Sequence, residues 1–161
     1  MSFDSEFISN SAPAALLAIS GTELLANARS LLTQCGYKVR AASNHEDFIS
    51  RVTRTRYEVV VIEETFASEG IEENASLYAL QQMSMNERRG TSVILLGPSF
   101  QTLNPLQAFQ QSVHAALNPE ELESLGPIAQ QAVTNNGLFN EVFLSTEQRL
   151  ATGAAYPAPA V

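Results

Sequence analysis

The sequence contains very little of the residues on which most metal and phosphate chemistry depends. Its 161 residues include one cysteine, Cys35, one lysine, Lys38, and two aspartates, Asp4 and Asp47. A single cysteine excludes an internal disulfide and any metal site built from several cysteines. A reaction that needs several aspartates and a lysine at one site would have to use Asp4, Asp47 and Lys38, and none of these follows a predicted central strand.

Long apolar runs and an excess of positive charge are also missing. No run of about 18 apolar residues is present, which is the length that predicts a membrane-spanning helix. Residues 1–7 lack the basic start and the apolar stretch of a secretory signal. The net charge of −8 opposes nonspecific binding to nucleic acid, which depends on neutralising phosphates. We therefore expect a cytoplasmic protein that binds neither membranes nor nucleic acids.

Residues 57–63, with the sequence Tyr-Glu-Val-Val-Val-Ile-Glu, predict a buried central strand. The four β-branched residues 59–62 leave no polar face for water, as in a parallel strand that helices cover on both sides. Burial of each such side chain contributes about 1.5–3 kcal/mol, so this strand is predicted to form the centre of the core. It ends in Glu63 and Glu64, at the edge where open α/β sheets place their functional sites.

Further strands alternate with helices, which predicts an α/β fold with a parallel sheet and right-handed crossovers. Ser20 to Glu23 fit a capping box at the start of the first helix, and Gly36 ends that helix. The second helix follows Asn44 and is predicted to bury Phe48, Ile49 and Val52. The other strands are predicted at residues 14–20, 37–42, 92–96 and 113–117, and the other helices over residues 74–85 and after Asn104 and Asn118.

The last part of the chain predicts a separate helical extension. Gly126-Pro127 predicts an interruption of the fifth helix, and Asn135-Asn136-Gly137 predicts a break after it. Residues 138–151 again show helical periodicity, with an apolar stripe formed by Leu138, Phe139, Val142, Phe143 and Leu150. The predicted division is an arm over residues 1–13, a domain over 14–134, a helical extension over 135–152 and a disordered tail or linker over 153–161.

The strand order and several local landmarks resemble the receiver domain of bacterial response regulators, over residues 14–133. The landmarks are Gly36-Tyr37 before the second strand, Tyr57-Glu58 at the third and Asn118-Pro119 after the fifth. The resemblance implies a three-layer, flavodoxin-like (CheY-like) fold with five parallel strands in the order 2-1-3-4-5. Residues 80–109, with Met85-Asn86-Glu87-Arg88-Arg89 and Thr102-Leu103-Asn104, also resemble receiver-like modules that follow a zinc ribbon in some environmental bacteria, although the ribbon cysteines are missing here.

Receiver domains accept a phosphoryl group from a histidine kinase on an aspartate, and this chain departs from the family at the positions that carry this chemistry. The phosphoacceptor falls on Glu63, the acidic pair that holds Mg²⁺ on Ile19 and Ser20, the switch hydroxyl on Gly97, the lysine before proline on Asn118 and the switch aromatic on Ala115. A phosphoryl group brings almost two negative charges, against one for Glu63, so Glu63 is interpreted as a solvated acid and not as a phosphate mimic. The resemblance therefore implies a degenerate receiver, or pseudo-receiver.

Such a pseudo-receiver would not be an enzyme and would need no metal or other cofactor. It would act as a protein-interaction or regulatory module related to two-component systems, with a protein partner that the sequence does not name. The apolar stripe of the last helix is explained either by core packing or by an interface with a second copy or another protein.

A small-ligand-binding flavodoxin-like domain is the alternative function. Ser20, Gly21 and Thr22 at a helix start could cradle a phosphate or a nucleotide with backbone amides, although capping alone explains these residues. His45 and His114 lie on different elements, which argues against a metal site. Cys35 is interpreted as a packed small residue. The arginines at 51, 54 and 56 predict a solvated basic face without the interleaved aromatic residues that stack bases.

Overall fold

The computed structural model describes residues 12–151. Its centre is a five-stranded sheet in which every pair of neighbouring strands is parallel, in the order β2-β1-β3-β4-β5. The predicted fold class and strand order are confirmed. The predicted tail over 153–161 and residues 1–11 of the predicted arm lie outside the described residues. The strands are β1 (Ala14–Ala18), β2 (Lys38–Ala41), β3 (Val59–Glu63), β4 (Ser92–Leu96) and β5 (Ala115–Leu117).

The helices begin where short polar side chains can satisfy free backbone N–H groups. Asn44, Asn74 and Asn104 each accept a hydrogen bond from the backbone N–H three residues later, as expected for N-cap residues. Gly36 follows the first helix at φ +92°, a left-handed conformation that glycine adopts without strain. The helices are α1 (Thr22–Gln34), α2 (His45–Arg54), α3 (Ala75–Gln82), α4 (Met85–Arg88), α5 (Pro105–Gln110) and α6 (Leu125–Ala151), with 3₁₀ turns at Ile71–Glu73 and Pro119–Ser124.

The sheet is covered on both faces, which explains the continuous apolar runs of its central strands. Val59 and Val61 pack with α1 and α6 on one face, and Val60 and Ile62 pack with α2 and α3 on the other. All four side chains are fully buried. β1, β3, β4 and β5 therefore each contribute to two cores, and β3 lies at the centre of both, as predicted.

The third predicted helix ends three residues earlier than predicted, and a short further helix begins at its predicted end. α3 ends at Gln82, and the chain turns at Met83 and Ser84 before α4 begins. The Ser84 side chain accepts from the Glu87 N–H while the Glu87 carboxylate accepts from the Ser84 N–H, which forms a capping box. The helix-start signal of residues 84–87 therefore begins inside the predicted range 74–85, and the prediction missed it.

The predicted break at Asn135-Asn136-Gly137 is wrong, because α6 runs continuously over 27 residues. Asparagine and glycine favour a break by local propensity. A tertiary contact offsets this, since the Asn136 side-chain amide donates to the backbone oxygen of Arg89 at 2.9 Å. Gly126-Pro127 begins α6 and does not interrupt it, because the first turn of a helix leaves backbone N–H groups without intrahelical partners. The predicted division between 134 and 135 therefore falls inside one helix.

The second helix buries less than the sequence predicts. Phe48 is fully buried, but Ile49 is 38% exposed. Successive residues of a helix point about 100° apart, so Ile49 turns away from the sheet when Phe48 faces it. Over residues 12–151, no helix has the length and apolar character needed to cross a bilayer.

Candidate functional site

The carboxyl ends of β1, β3, β4 and β5 bring together five of the six positions that the family resemblance singles out, all except Ala115. Ile19, directly after β1, is 3% exposed and packs in the core beneath α1 and α6. Its side chain therefore belongs to the core and offers nothing to a cation. Ala115, at the start of β5, is 5% exposed and lies in the same core.

Ser20 connects the end of β1 to the end of β3. Its backbone N–H donates to Glu63 Oε1 at 2.8 Å, and its hydroxyl oxygen accepts from the Ala67 N–H at 2.9 Å. The predicted capping box is wrong, because Gly21 is the N-cap residue of α1 and no side chain caps this helix. The Ser20 hydroxyl holds the loop that follows β3 instead of the helix start.

Glu63 is half-buried, and its carboxylate is bound to a backbone amide. The interpretation of Glu63 as a freely solvated acid is therefore incomplete. Its backbone oxygen also accepts from the side-chain amide of Asn74 at 3.0 Å. Glu63 joins two strand ends and a loop through these contacts.

Glu64 is buried, with 8% of its surface exposed, and its side chain lies directly over Gly97. One carboxylate oxygen accepts from the Ser99 hydroxyl at 2.7 Å, and the other accepts from the Ser99 N–H at 3.3 Å. A Cβ atom at position 97 would lie 1.9 Å from Glu64 Oε2, far inside van der Waals contact. The glutamate therefore fills the space that any side chain at position 97 would need.

Asn118 occupies the position of the family lysine and binds the loop after β4. Its side-chain amide donates to the backbone oxygen of Phe100 at 2.9 Å, and its side-chain oxygen accepts from the Glu120 N–H at 2.9 Å. Its own N–H donates to the Thr102 hydroxyl at 3.0 Å. The residue is engaged in positioning this loop and in capping the 3₁₀ turn that follows.

The loop between β3 and α3 is held by two further side chains. Asn74 is buried, and its amide donates to the backbone oxygens of Glu63 and Glu64. His45 accepts from the Ser76 N–H at Nδ1, so its Nε2 carries the hydrogen and donates to the backbone oxygen of Ala67 at 3.1 Å. The loop that follows Glu63, the residue at the phosphoacceptor position, is thus fixed by hydrogen bonds within the chain.

Comparisons with known proteins agree with this geometry at the level of the fold. No family model and no curated protein sequence matches the chain. A response regulator receiver domain protein from Clostridium thermocellum superposes with a TM-score of 0.62 at 18% identity, covering 79% of this chain and 98% of that one. The receiver domain of Francisella response regulator 1452 gives 0.61 at 18% identity, with 76% and 98% covered. The chemotaxis response regulator CheY4 of Vibrio cholerae gives 0.55 at 14% identity, with 73% and 98% covered.

The chain has the receiver fold. At these identities the likeness concerns the fold alone, and the site has to be judged on its own residues. In the part of the chain that the structure describes, no group of three or more histidine, cysteine, aspartate or glutamate side chains could hold a metal ion. The end of β3 thus presents a partly exposed carboxylate, Glu63, followed by Glu64, which is buried and bonded to Ser99.

The Glu63 carboxylate already contacts the Ser20–Thr22 loop, the predicted anion-binding loop. It accepts a hydrogen bond from the Ser20 N–H, which a bound phosphate would need. Ser20 also gives its hydroxyl oxygen to the Ala67 N–H. An anion would have to displace Glu63 or lie beside it, and both cost free energy.

Sequence reasoning placed Glu64 at the strand end and Asn74 at a helix start but missed their contacts, and it missed Ser99 and Ser76. The position of the Glu64 side chain could have been inferred from its neighbour on the next strand, Gly97. Glu63 on β3 lies opposite Leu96 on β4, so the next residues along the two strands, Glu64 and Gly97, are also brought together. A glutamate facing a glycine indicates that the larger side chain covers the smaller residue.

His114 lies at the start of β5, at the other end of the sheet from Glu63. Its Nδ1 accepts from the Val93 N–H at 2.9 Å, which requires an unprotonated ring nitrogen. Burial and the nearby charge of Arg88 lower the pKa of His114, while a hydrogen bond with Asn136 opposes this shift. The neutral ring is therefore the form that the folded chain prefers.

We expect the protein to lose stability as the pH falls below about 6.5, and His114→Asn to lose less. The folded-state pKa of His114 lies below that of the unfolded chain, so the unfolded chain binds the proton first. The stabilisation is complete above the unfolded pKa and is lost as the pH falls toward the folded pKa. Asparagine keeps an acceptor near the position of Nδ1 and does not titrate.

Urea unfolding of both proteins at several pH values between 5 and 8 measures this difference. The slope should be gentle, because His114 is exposed as a residue and water screens its charge. Equal slopes for the wild type and His114→Asn would contradict the assignment.

Proposed function

We propose that this chain is a pseudo-receiver: a bacterial, cytoplasmic signal-transduction module that regulates partners by protein contacts, without accepting a phosphoryl group and without acting as an enzyme. The receiver fold supports a regulatory role. The filled space above Gly97 supports independence from phosphorylation, and it is the observation that carries the proposal.

A receiver switch needs groups that contact the phosphoryl group in one state and not in the other. A ligand without such differential contacts cannot shift the equilibrium between two states. At position 97 a hydroxyl-bearing side chain has no room, because the Glu64 carboxylate lies there and is bonded to Ser99. At position 118 an asparagine holds backbone oxygens, so no ammonium group is present to pair with phosphate.

Phosphorylation would also add negative charge to an acidic strand end. A phosphoryl group on Glu63 would bring almost two negative charges to the residue that directly precedes Glu64 in the sequence. Ile19 in the core leaves Mg²⁺ without the acidic pair that would neutralise them. Octahedral Mg²⁺ is bound poorly by one carboxylate whose oxygen already accepts a backbone N–H.

The partner we propose for the last helix is a second copy of the chain. α6 continues for about 27 Å beyond residue 133, at 1.5 Å per residue. Leu138, Val142 and Leu150 on this part are 59%, 68% and 66% exposed, which core packing within one chain does not explain. The side chains of Phe139 and Phe143, which complete the predicted stripe, lie outside the described residues. A helix with an exposed apolar stripe is stabilised when it pairs with an identical one.

Replacing Leu138 and Val142 together with serine is expected to convert a wild-type oligomer to a monomer, and to lower the melting temperature only by what pairing contributes. Both side chains are exposed in the single chain, so their loss removes contacts between copies and not contacts of the core. Light scattering gives the mass, and a thermal melt gives the stability. Leu106→Ser with Tyr78→Ser is the matched control, because these residues are 63% and 61% exposed elsewhere on the surface.

The control pair should leave the mass unchanged. A monomeric wild type, or a lower melting temperature without a change in mass, would contradict the proposed interface. The alternative function, a phosphate or nucleotide site at Ser20–Thr22, has no comparable support, because the Ser20 N–H already donates a hydrogen bond to Glu63.

A further inference from the structure

A cavity of about 290 Å³ opens at the amino ends of β3 and β4, opposite the edge that carries Glu63. It lies between the segment that leads from α2 into β3 and the segment that leads from α3 through α4 into β4. The interior is formed by apolar side chains, and the mouth is surrounded by arginines and threonines. The residues that decide its chemistry are Val52, Leu80, Met83, Arg54, Arg56 and Arg88.

The cavity combines an apolar interior with positive charge. Leu80 is buried, and Val52 and Met83 are partly buried beside it in the core beneath α2 and α3. Three of the nine lysines and arginines of a chain with net charge −8 line this one cavity. Such a concentration of positive charge, in a chain that is negative overall, favours binding of anions at this cavity.

The three arginines differ in how they are engaged. Arg54 donates to the Ser50 hydroxyl at 2.7 Å on its own helix, and Arg88 donates to the backbone oxygen of Ser112. Arg56 lies against Gly90, where a Cβ atom would be 3.1 Å from its Nη1. Across residues 12–151, no carboxylate forms an ion pair with any of these three arginines.

The one carboxylate at the cavity is already bound. Glu87 accepts from the Ser84 N–H as part of the capping box of α4. Burial also lowers the pKa of Arg88, so a bound negative charge would recover part of the free energy that its desolvation costs. The cavity is thus lined by three arginines against one glutamate, and an excess of positive charge remains.

We propose that this cavity binds a small organic anion, with an apolar body against Val52, Leu80 and Met83 and a carboxylate or phosphate head at Arg56. The volume lies just below the range of about 300–1,000 Å³ for small-molecule sites, which selects a compact ligand about the size of one ring with its acidic group. A planar guanidinium donates two parallel hydrogen bonds to either kind of head.

The test is an amide NMR titration of the full chain with four probes: phenyl phosphate, benzoate, inorganic phosphate and benzyl alcohol. Phenyl phosphate and benzoate should produce saturable shifts in the amides of residues 52–57 and 83–91. The comparison of these two probes distinguishes a phosphate from a carboxylate head. Inorganic phosphate lacks the apolar body and benzyl alcohol lacks the charge, so each should bind at least about tenfold more weakly.

Arg56→Gln should raise the Kd of the better anion about tenfold, the loss expected when charge-assisted hydrogen bonds are removed. Arg40→Gln is the matched control, because Arg40 is exposed on β2, outside this cavity, and loses the same charge. The spectrum of each variant without probe shows that it is folded. Equal weakening by both substitutions, or the absence of saturable shifts with both organic anions, would overturn the proposal.

Discussion

Gly97→Ala is expected to destabilise the protein by about 3 kcal/mol, although it adds a single methyl group. The new Cβ would lie 1.9 Å from Glu64 Oε2, so the glutamate side chain must leave its position. Its carboxylate would then lose both hydrogen bonds to Ser99, and a buried charge without partners is costly. Urea unfolding of the variant and the wild type measures the change.

Two controls separate this collision from a general effect of alanine. Gly137→Ala lies inside α6 with no neighbouring atom within 4 Å of the new Cβ, and it should stabilise the protein by up to about 1 kcal/mol. In a Glu64→Ala background, Gly97→Ala should cost little, because the side chain with which it collides is gone. If Gly97→Ala costs the same with and without Glu64, the two residues do not compete for this space.

Phe48→Ala is expected to cost about 3–5 kcal/mol. The ring is fully buried in the core between the sheet, α2 and α3. Its removal loses burial of an aromatic side chain and leaves a cavity that the rigid sheet cannot fill. Since folded domains are stable by about 5–15 kcal/mol, the variant should unfold at a much lower denaturant concentration.

Phe109→Ala is the matched control, because it removes the same side chain at a site that is 81% exposed. This substitution should change the free energy of unfolding by no more than about 0.5 kcal/mol. A similar loss for both variants would contradict the described core. A small loss for Phe48→Ala alone would contradict the position of α2 on the sheet.

The strands were predictable because burial on both faces of the sheet requires a continuous run of apolar residues, which is easy to find in a sequence. Residues 59–62 and 92–96 have no polar face, and a parallel sheet is the structure that needs none. The caps at Asn44, Asn74 and Asn104 were also predictable, because each cap is a contact between residues three positions apart. Local signals of this kind require no knowledge of the rest of the chain.

The connections of the site were not predictable from spacing. The contact between Ser20 and Ala67 joins residues 47 positions apart, and the contact between Glu64 and Ser99 joins residues 35 positions apart. At Ser20 a long-range bond displaced the capping box that local pattern predicted. At Asn136 a contact with Arg89 carried α6 through residues that favour a break. In both places tertiary structure decided between alternatives that are close in local free energy.

The proposal that the chain acts without phosphorylation is tested most directly by intact-mass and amide NMR measurements with Mg²⁺ and either acetyl phosphate or beryllofluoride. An active receiver domain serves as the positive control in the same buffer. Moving a two-state switch from 1:99 to 99:1 requires about 5.5 kcal/mol of differential binding, and Ile19, Gly97 and Asn118 supply no charge toward it. We expect no covalent mass gain with acetyl phosphate and no beryllofluoride-dependent change in the spectrum. A Mg²⁺-dependent phosphoryl adduct on Glu63 would contradict the pseudo-receiver assignment.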